Sequence, residues 1–305
     1  MHSEQNIKID SKHLEFINQQ DCTKYFGDWI NNIDELREKF IKAEPFDNIV
    51  IDNFLNDEYI EKIEKLFNFL PLKKVEPNLE NLPFPKVDWH EYMNPIEVKY
   101  AFDDIEKLPE DLKNFFYYLS TNQITNIFRK LTNIPDLEYD EYLHGAGLHS
   151  HPKYGRLNIH LDYELHPYSF KERRINIILF LNKIWDPLWN GANELWNNNA
   201  TKCIQKTDIK FNRVIIFKTN DISWHGLPEK LNCPENIFRK SLAYYYVSPL
   251  NTMKSELEYR KKAKFIKRPE DKYDENLEEL YKIRPNRRIT KDDLAKYMPN
   301  WKKED

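Results

Sequence analysis

Glycine and cysteine are scarce in this 305-residue chain, and no long stretch of it is purely apolar. Only 6 glycines occur, which argues against a repetitive or low-complexity architecture. The 3 cysteines, Cys22, Cys203 and Cys233, form no CxxC pair, so free thiols in a reducing compartment are expected rather than a disulfide scaffold. No run of about 18 apolar residues is present, and the opening segment MHSEQNIKID lacks the apolar core of a signal peptide. A soluble, cytoplasmic protein without a membrane segment is expected.

The chain also lacks the overall positive charge of a general nucleic-acid binder, since its net charge is -4. What it does have is 40% hydrophobic and 14% aromatic residues, enough for a sizeable core. Positive charge is concentrated in residues 251–305, which contain the basic stretch Arg260–Arg268. That stretch could attract nucleic acid or an acidic partner, although such runs are more often the solvated face of a helix.

Helical patterns dominate the first part of the chain. Apolar spacings of three and four residues predict an amphipathic helix around Trp29–Ile41, and a second helix after Asn56 that Pro71 ends. Between them, Asn48–Phe54 is typical of a short strand. The proline-rich residues 71–100 are predicted to be loop, and residues 107–131 to form one more helix.

From about residue 137 the pattern changes to short apolar runs separated by turn residues. The runs are β-branched or aromatic and have the length of strands: Leu157–Leu161, Ile175–Leu181, Arg213–Phe217 and Leu242–Val247. Several short strands of this kind indicate a sandwich, a jelly roll or a small barrel. Beyond them, the periodicity around Met253–Phe265 predicts a helix.

A candidate metal site lies in the β-rich part. His160 and Asp162 occupy alternate positions of the strand segment NIHLD, so their side chains point to the same face. His225 follows later, in SWHG, just after another predicted strand. Two imidazoles and one carboxylate on one face of an octahedron leave three positions open, which is the ligand set of non-haem Fe(II) oxygenases.

The HxD pair alone is weak support, because 9 histidines and 50 acidic residues produce such a pair by chance about once per chain. An ordinary strand histidine is the alternative for His160. Arg239 and Ser241 strengthen the metal hypothesis, since both lie at the start of an apolar strand after His225. A guanidinium there can hold a carboxylate through two hydrogen bonds, and the hydroxyl can add a third. A surface charge is the alternative for Arg239.

These motifs together resemble the 2-oxoglutarate- and Fe(II)-dependent dioxygenases, and in particular their prolyl-hydroxylase-like branch. The resemblance covers roughly residues 45–250, and its most specific segments are PFDNIVIDNFL (45–55), GLHSHPKYGRLNIHLDYELHP (147–167), RRINIILFLN (173–182), GANELW (191–196), WHGLPE (224–229) and RKSLAYYYVSP (239–249). It implies a mainly β protein with supporting α-helices, built on a double-stranded β-helix of the jelly-roll or cupin-like kind. Residues 1–44 are then a helical N-terminal extension, 45–250 the oxygenase domain, and 251–305 a charged C-terminal extension.

The resemblance also implies roles for individual residues. His160, Asp162 and His225 match the iron ligands, while Arg239 matches the basic residue that pairs with the distal carboxylate of 2-oxoglutarate, and Ser241 completes an RxS-like pattern. His151 falls roughly where prolyl hydroxylases often have a co-substrate-binding tyrosine. Phe180 falls where another tyrosine is common, so one hydrogen bond is missing, and Asn176 on the same strand face is a candidate replacement.

The activity implied is hydroxylation of a C–H bond, using Fe(II) with 2-oxoglutarate and O₂ as co-substrates and ascorbate as an optional reductant. Succinate and CO₂ are the co-products. Because Asp162 is retained, hydroxylation is favoured over halogenation. The expected substrate is a peptidyl residue, with proline favoured, an amino acid or another small molecule. Two alternatives stay open: oxidative tailoring of a nucleic-acid or sugar-linked substrate, and a β-helix protein that only binds its partner.

Some neighbouring residues have two interpretations. Tyr163 and His166 follow the HxD motif and are candidates for the mouth of the substrate site. Arg173 precedes a core strand, so a surface or salt-bridge role is the default expectation. Contact with an anionic substrate is the more specific alternative. His149 and His151 form an HxH pair, but no further histidine or cysteine lies near them in the sequence to complete a second metal site.

Overall fold

Antiparallel strands form the centre of the computed structural model, which describes residues 9–70, 89–250, 255 and 258–304. The strands are β1 (Asn48–Ile51), β2 (His90–Asn94), β3 (Glu97–Phe102), β4 (Glu138–Tyr139), β5 (Gly147–His151), β6 (Arg156–Leu161), β7 (Glu172–Phe180), β8 (Asn193–Trp196), β9 (Cys203–Thr207), β10 (Val214–Lys218), β11 (His225–Leu227), β12 (Arg239–Ser248) and β13 (Lys264–Phe265). They join in the order β1-β10-β7-β12-β5-β3-β6-β11-β8-β9, while β2 pairs with β3, β4 with β12 and β13 with β6.

This order contains two four-stranded antiparallel sheets, β10-β7-β12-β5 and β6-β11-β8-β9, which β3 connects by pairing with both β5 and β6. Apart from β8 and β9, neighbouring strands in each sheet come from distant parts of the chain, as in a jelly roll. The predicted fold class, a mainly β protein with supporting helices and a double-stranded β-helix at its centre, is therefore confirmed.

The strands of the first sheet have one face toward the helices and one toward the space between the sheets. On β7, Ile175, Ile177 and Leu179 pack in the large apolar cluster that includes the helices. Phe180 points the other way and packs with Leu195 of the second sheet. Asn176 shares the parity of Phe180, and hence its face, because side chains alternate along a strand. The polar inner face is where a site can form.

The helices are α1 (Ser11–Asn18), α2 (Ile33–Ile41), α3 (Asp57–Phe69), α4 (Glu110–Ser120), α5 (Asn122–Thr132), α6 (Glu275–Ile283) and α7 (Lys291–Tyr297). The helix predicted after Asn56 is confirmed as α3, and the Asn56 side chain accepts a hydrogen bond from the Tyr59 backbone N–H at 2.7 Å. The single helix predicted over residues 107–131 is two, because Thr121 adopts an extended conformation and caps α5 with its hydroxyl.

Two segments differ from the sequence predictions. Residues 71–88 lie outside the described part, but the remainder of the loop predicted over 71–100 contains the hairpin β2–β3, whose Val98 and Phe102 are buried. The helix predicted around Met253–Phe265 lies partly outside the described residues, and its described end is strand β13. Pairing with β6 satisfies the backbone there, so tertiary contacts outweigh the local periodicity.

All three cysteines have free thiols, as predicted. In the described part of the chain, none of the helices has the length and apolar character needed to cross a lipid bilayer.

Candidate active site

The second sheet brings the three predicted metal ligands together. His160 lies on β6 and His225 opens β11, and the two residues are direct partners in the antiparallel register. The Nε2 atoms of His160 and His225 lie 3.5 and 3.6 Å from the two carboxylate oxygens of Asp162. One potential ligand atom from each of the three residues lies within 4.8 Å of the other two. Among the described residues, no other group of three or more His, Cys, Asp or Glu side chains is arranged in this way.

Backbone carbonyls orient both imidazoles. Nδ1 of His160 lies 2.9 Å from the carbonyl oxygen of Asn158, and Nδ1 of His225 lies 2.8 Å from that of Ser223. Since a carbonyl only accepts hydrogen bonds, each Nδ1 carries the proton and each Nε2 presents a lone pair. Burial, with His160 beside it, lowers the pKa of His225 to about 3, so this ring is neutral near pH 7. Both rings are therefore set for coordination.

Asp162 is held in its ionised form. Nδ2 of Asn176 donates a hydrogen bond of 2.7 Å to one carboxylate oxygen, and a guanidinium nitrogen of Arg173 lies 3.9 Å from the same oxygen. Burial alone would raise the pKa of Asp162, but the positive charge of Arg173 keeps it well below its usual range. The third ligand is thus an anion at neutral pH.

Arg173 is an interior residue, so the surface position that the sequence allowed by default is wrong. The other part of that default, a salt bridge, agrees with its contact to Asp162. Its side chain is 2% exposed and lies between the rings of Tyr163 and Tyr245, 4.4 and 3.2 Å from their centroids. These cation–π contacts replace part of the lost hydration of the guanidinium. They fix a positive charge beside Asp162.

Arg239 lies in the other sheet, at the start of β12, and is also buried. It is 2% exposed, and its Nε donates a hydrogen bond of 2.8 Å to the carbonyl of Gly191. No acidic side chain within the described ranges forms an ion pair with it. Burial lowers its pKa to about 9, with no opposing anion to raise it. An unpaired buried guanidinium is costly, so an anionic ligand is its natural partner.

Other polar groups without partners surround Arg239. Ser241 has a buried hydroxyl, and His151 has two buried ring nitrogens, none of which contacts a hydrogen-bonding partner. His151 is the direct partner of Arg239 in the register of β5 and β12, and His149 is that of Ser241. Burial, with Arg239 beside it, lowers the pKa of His151 well below its usual range. Buried polar groups are normally paired, so this cluster fits a bound polar molecule.

The residues present fit a ferrous ion and its co-substrate. Two preoriented neutral imidazoles and one ionised carboxylate form the facial set that leaves positions open for other ligands. Arg239, which has no anionic partner among the described residues, and the unpaired hydroxyl of Ser241 supply donors of the kind that a dicarboxylate needs. His160, Asp162 and His225 would hold Fe(II), and Arg239 and Ser241 would hold the distal carboxylate of 2-oxoglutarate.

The remaining sequence candidates have varied positions. Asn176 directs its amide to Asp162 rather than toward Arg239, while the ring of Phe180 lies 5.0 Å from the Arg239 guanidinium carbon. His166 is fully buried and bonded to Asp140 at 3.1 Å, so it does not line an opening. Tyr163 donates to the carbonyl of His144 and stacks on Arg173. Within the described residues, the HxH pair is not part of a second group of metal ligands.

Two contacts with the candidate ligands come from residues that the sequence did not single out. Phe265 stacks on the ring of His160, and Arg260 donates to the backbone carbonyl of Asp162. No local pattern signals either contact, because both depend on how a distant C-terminal segment meets β6.

Comparison with known proteins gives one family match. The model of the 2OG-Fe(II) oxygenase superfamily matches residues 146–247, the segment from β5 to β12 that holds all seven predicted site residues. A search of curated proteins finds no match. Members of the superfamily use Fe(II), 2-oxoglutarate and O₂, and the residues present suit this set.

Similar solved structures include prolyl hydroxylases. A prolyl 4-hydroxylase from Phytophthora capsici is 16% identical, with 75% of this chain and 65% of that chain covered and a TM-score of 0.47. A Trichoplax adhaerens prolyl hydroxylase in complex with a hypoxia inducible factor peptide fragment is 14% identical, with coverages of 74% and 96% and a TM-score of 0.49. A Pseudomonas putida prolyl-4-hydroxylase is 12% identical, with coverages of 72% and 100% and a TM-score of 0.46.

This chain thus spans less than two thirds of the Phytophthora capsici protein, and likeness at this level does not define a substrate. The family match and the converging ligand set agree on the same segment. Residues 146–247 match the model of the 2OG-Fe(II) oxygenase superfamily, and the candidate metal ligands lie within that match.

Proposed function

We propose that this chain hydroxylates a C–H bond of a peptidyl residue, with proline favoured, and that a free amino acid or another small molecule is the next choice of substrate. One 2-oxoglutarate and one O₂ would be consumed for each hydroxyl group formed. One oxygen atom goes to the substrate carbon, and the other goes to succinate as CO₂ is released.

One observation carries the enzymatic part of this proposal. A complete His, Asp and His ligand set lies in one sheet, and Arg239, a buried cation without an anionic partner among the described residues, begins a strand of the facing sheet. A protein that only binds its partner would not require both a metal-ligand set and a buried cation facing it. The cost of keeping Arg239 buried and unpaired is offset only when an anion binds.

The metal-site and co-substrate-site residues have different roles in this proposal. Bound Fe(II) would supply coordination of 2-oxoglutarate and O₂ and the oxidising chemistry. His160 and His225 present their Nε2 lone pairs because the carbonyls of Asn158 and Ser223 fix their tautomers. Asp162 stays ionised, and Arg239 with Ser241 orients the dicarboxylate. His160, His225, Arg239 and Ser241 are buried and Asp162 is half-buried, which limits the access of water to the open positions.

The proposal that the substrate is a peptide has less support than the proposal of iron- and 2-oxoglutarate-dependent hydroxylation. It is supported by the sequence resemblance to the prolyl-hydroxylase-like branch over residues 45–250. The nucleic-acid alternative has less support, because Arg260 and Arg268 of the basic stretch are half-buried and paired with acidic side chains. Arg260 contacts Glu164 and Asp221, and Arg268 contacts Asp271 at 2.7 Å.

The first experiment tests the chemistry without a known substrate. Protein purified without oxygen is expected to bind one Fe(II) per chain and to convert 2-oxoglutarate to succinate once O₂ is admitted. Asp162→Ala and His160→Ala should abolish both, whereas His13→Ala, on α1 against Asn114, should change neither. Full iron binding and succinate formation in the two site variants would refute the assignment.

The second experiment tests the substrate class. Proline-containing peptides, free proline and other amino acids are incubated with the loaded enzyme, and products that have gained one oxygen atom are sought by mass spectrometry. Hydroxylated peptide, absent with Asp162→Ala, supports the proposal. Oxidation of a free amino acid alone would replace it by the small-molecule alternative.

A further inference from the structure

The C-terminal segment lies against the strand that carries the candidate ligands. Strand β13 pairs antiparallel with β6, so that Lys264 is opposite Leu161 and Phe265 opposite His160. The backbone N–H of Ile266 then donates to the carbonyl of Ile159 at 2.9 Å. The family match ends at residue 247, so these contacts come from outside the matched segment.

Arg260 forms a second attachment, on the other side of the HxD motif. Its backbone N–H donates to a Glu164 carboxylate oxygen at 3.0 Å, and its carbonyl accepts from the backbone N–H of Glu164 at 2.7 Å. Its Nε donates to the carbonyl of Asp162 at 2.6 Å. A charged donor makes a stronger hydrogen bond than a neutral one. The backbone that carries the Asp162 carboxylate is therefore held by a residue almost a hundred positions later in the chain.

Phe265 restrains the His160 imidazole directly. The two rings are stacked, with centroids 4.8 Å apart and planes 18° from parallel, and Phe265 is buried. The edge of the same imidazole is held by the carbonyl of Asn158, whose side-chain amide donates to the hydroxyl of Tyr281 on α6 at 2.8 Å. Tyr281 and Phe265 belong to one apolar cluster. Face and edge of the ring are thus both fixed with help from the C-terminal segment.

We infer that residues 260–281 form a brace that positions the candidate iron ligands His160 and Asp162, with Arg260 and Phe265 as its positioning residues. The inference rests on the proposed iron site. A ligand set bound to a fixed backbone loses less conformational freedom when a metal binds than one on a mobile strand, so the brace raises metal affinity. Loss of a group that orients a metal ligand typically weakens binding by about 10- to 100-fold.

The test measures metal affinity in the full chain, with Mn(II) as a redox-stable probe and calorimetry or EPR as the readout. Phe265→Ala removes the ring face, and Arg260→Met removes the donors while keeping the stem. Each is expected to weaken Mn(II) binding about 10-fold or more. Phe265→Tyr and Arg260→Lys, which keep the ring face and the charge, are expected to recover part of the lost affinity.

A control is needed to show that weaker Mn(II) binding does not arise from a general loss of protein stability. Ile63→Ala, in the buried face of α3, is the matched control, because it should lower the unfolding temperature by opening a cavity and leave Mn(II) affinity unchanged. Phe265→Leu, which preserves apolar volume but not the flat face, serves if Phe265→Ala does not fold. Wild-type affinity in the folded Phe265 and Arg260 variants would overturn the brace. Absence of Mn(II) and Fe(II) binding in the wild type would instead overturn the proposed function.

Discussion

The two ends of the candidate site differ in how far the protein itself satisfies their polar groups. At the metal end, His160 and His225 donate to backbone carbonyls, and Asp162 accepts from Asn176. At the co-substrate end, Arg239 has one hydrogen bond to the carbonyl of Gly191, and the Ser241 hydroxyl has none. Each of the three candidate metal ligands is thus held by a hydrogen bond, although Asn176 Oδ1 beside them has no partner, whereas most polar groups at the co-substrate end are unsatisfied.

This difference has a physical consequence for each end. Preoriented ligands gain affinity because little freedom remains to be lost on binding. Unpaired buried donors destabilise the empty protein and regain that energy only when a ligand accepts their hydrogen bonds. Substitutions should therefore distinguish the two ends. Those at the metal end are expected to lower metal affinity. Those at the co-substrate end are expected to weaken 2-oxoglutarate binding while leaving the stability of the ligand-free protein unchanged or higher.

The largest effect is expected for Arg239→Leu. Removal of the guanidinium should weaken 2-oxoglutarate binding by about 2 to 5 kcal/mol, or ~30-fold to several thousand-fold. Because the lost charge was buried and unpaired, the unfolding temperature of the ligand-free variant should equal or exceed that of the wild type. Calorimetry with Mn(II)-loaded protein and thermal unfolding measure the two quantities.

Lys240→Leu is the control for this change, since it removes a neighbouring cation whose ammonium bonds to Asn68 instead. It should leave 2-oxoglutarate affinity within about twofold of the wild type, because partly exposed charges contribute little. Unchanged 2-oxoglutarate affinity in Arg239→Leu would show that the buried cation serves another purpose.

The next effect is expected at the metal end. Asn176→Leu removes the hydrogen bond to Asp162 and should weaken Mn(II) binding about 10- to 100-fold, with no separate loss of 2-oxoglutarate affinity once the metal is saturating. Asn182→Leu is the matched change, because Asn182 is also buried but bonds to the backbone of Phe238 and Lys240. Equal Mn(II) affinity in the two variants would contradict the role of Asn176.

A smaller effect concerns acid stability at the co-substrate end. Burial, with Lys99 and Arg239 nearby, lowers the pKa of His149 to about 3 from an ordinary value of 6.5. As the pH falls below 6.5 the unfolded chain takes up a proton there and the folded chain does not, so stability is lost between pH 6.5 and 3. The loss from His149 amounts to about 2 kcal/mol at pH 5.

Denaturant unfolding of metal-free protein at pH 7 and pH 5 measures this contribution. His149→Leu should lose about 2 kcal/mol less than the wild type over that interval. Equal losses in the two proteins would mean that His149 is hydrated, or protonated, in the folded state.

The smallest effect is expected for Ser241→Ala. The hydroxyl is buried without a partner, so its removal should not lower the stability of the empty protein. Binding of 2-oxoglutarate should weaken by about 1 kcal/mol, or ~5-fold, the usual contribution of one neutral hydrogen bond. A destabilised empty protein with unchanged 2-oxoglutarate affinity would indicate that Ser241 has a purely structural role.

Local pattern was enough to predict five of the thirteen strands, among them four of the longer central ones. β6, β7, β10 and β12 lie within a few residues of the predicted runs, because alternating or continuous apolar residues fit strands whatever their partners are. The predictions were wrong where tertiary contacts outweigh local preference. Thr121 divides a predicted helix into two, and β13 forms in place of a helix because β6 offers it hydrogen-bonding partners.

Which side chains are buried was harder to predict from the sequence than which residue types form the candidate site. Arg173 was assigned by default to the surface or to a salt bridge, and arginine is seldom fully buried unless it is paired. In the structure Tyr163 and Tyr245 enclose it, and its charge faces Asp162. Sequence shows that an arginine precedes a strand, but which face of the sheet it joins depends on a register shift between β7 and β12.

The sequence by itself determined which groups were available: His160 and Asp162 on one face of a strand, a later His225, and an arginine with a serine two residues on. These follow from chain geometry, because alternation along a strand is local. Only the tertiary structure decided that His225 is opposite His160, that Arg239 has no anionic partner in the described residues, and that Phe265 and Arg260 hold β6. Those relations depend on strand pairing between distant segments, which the packing of the whole molecule selects.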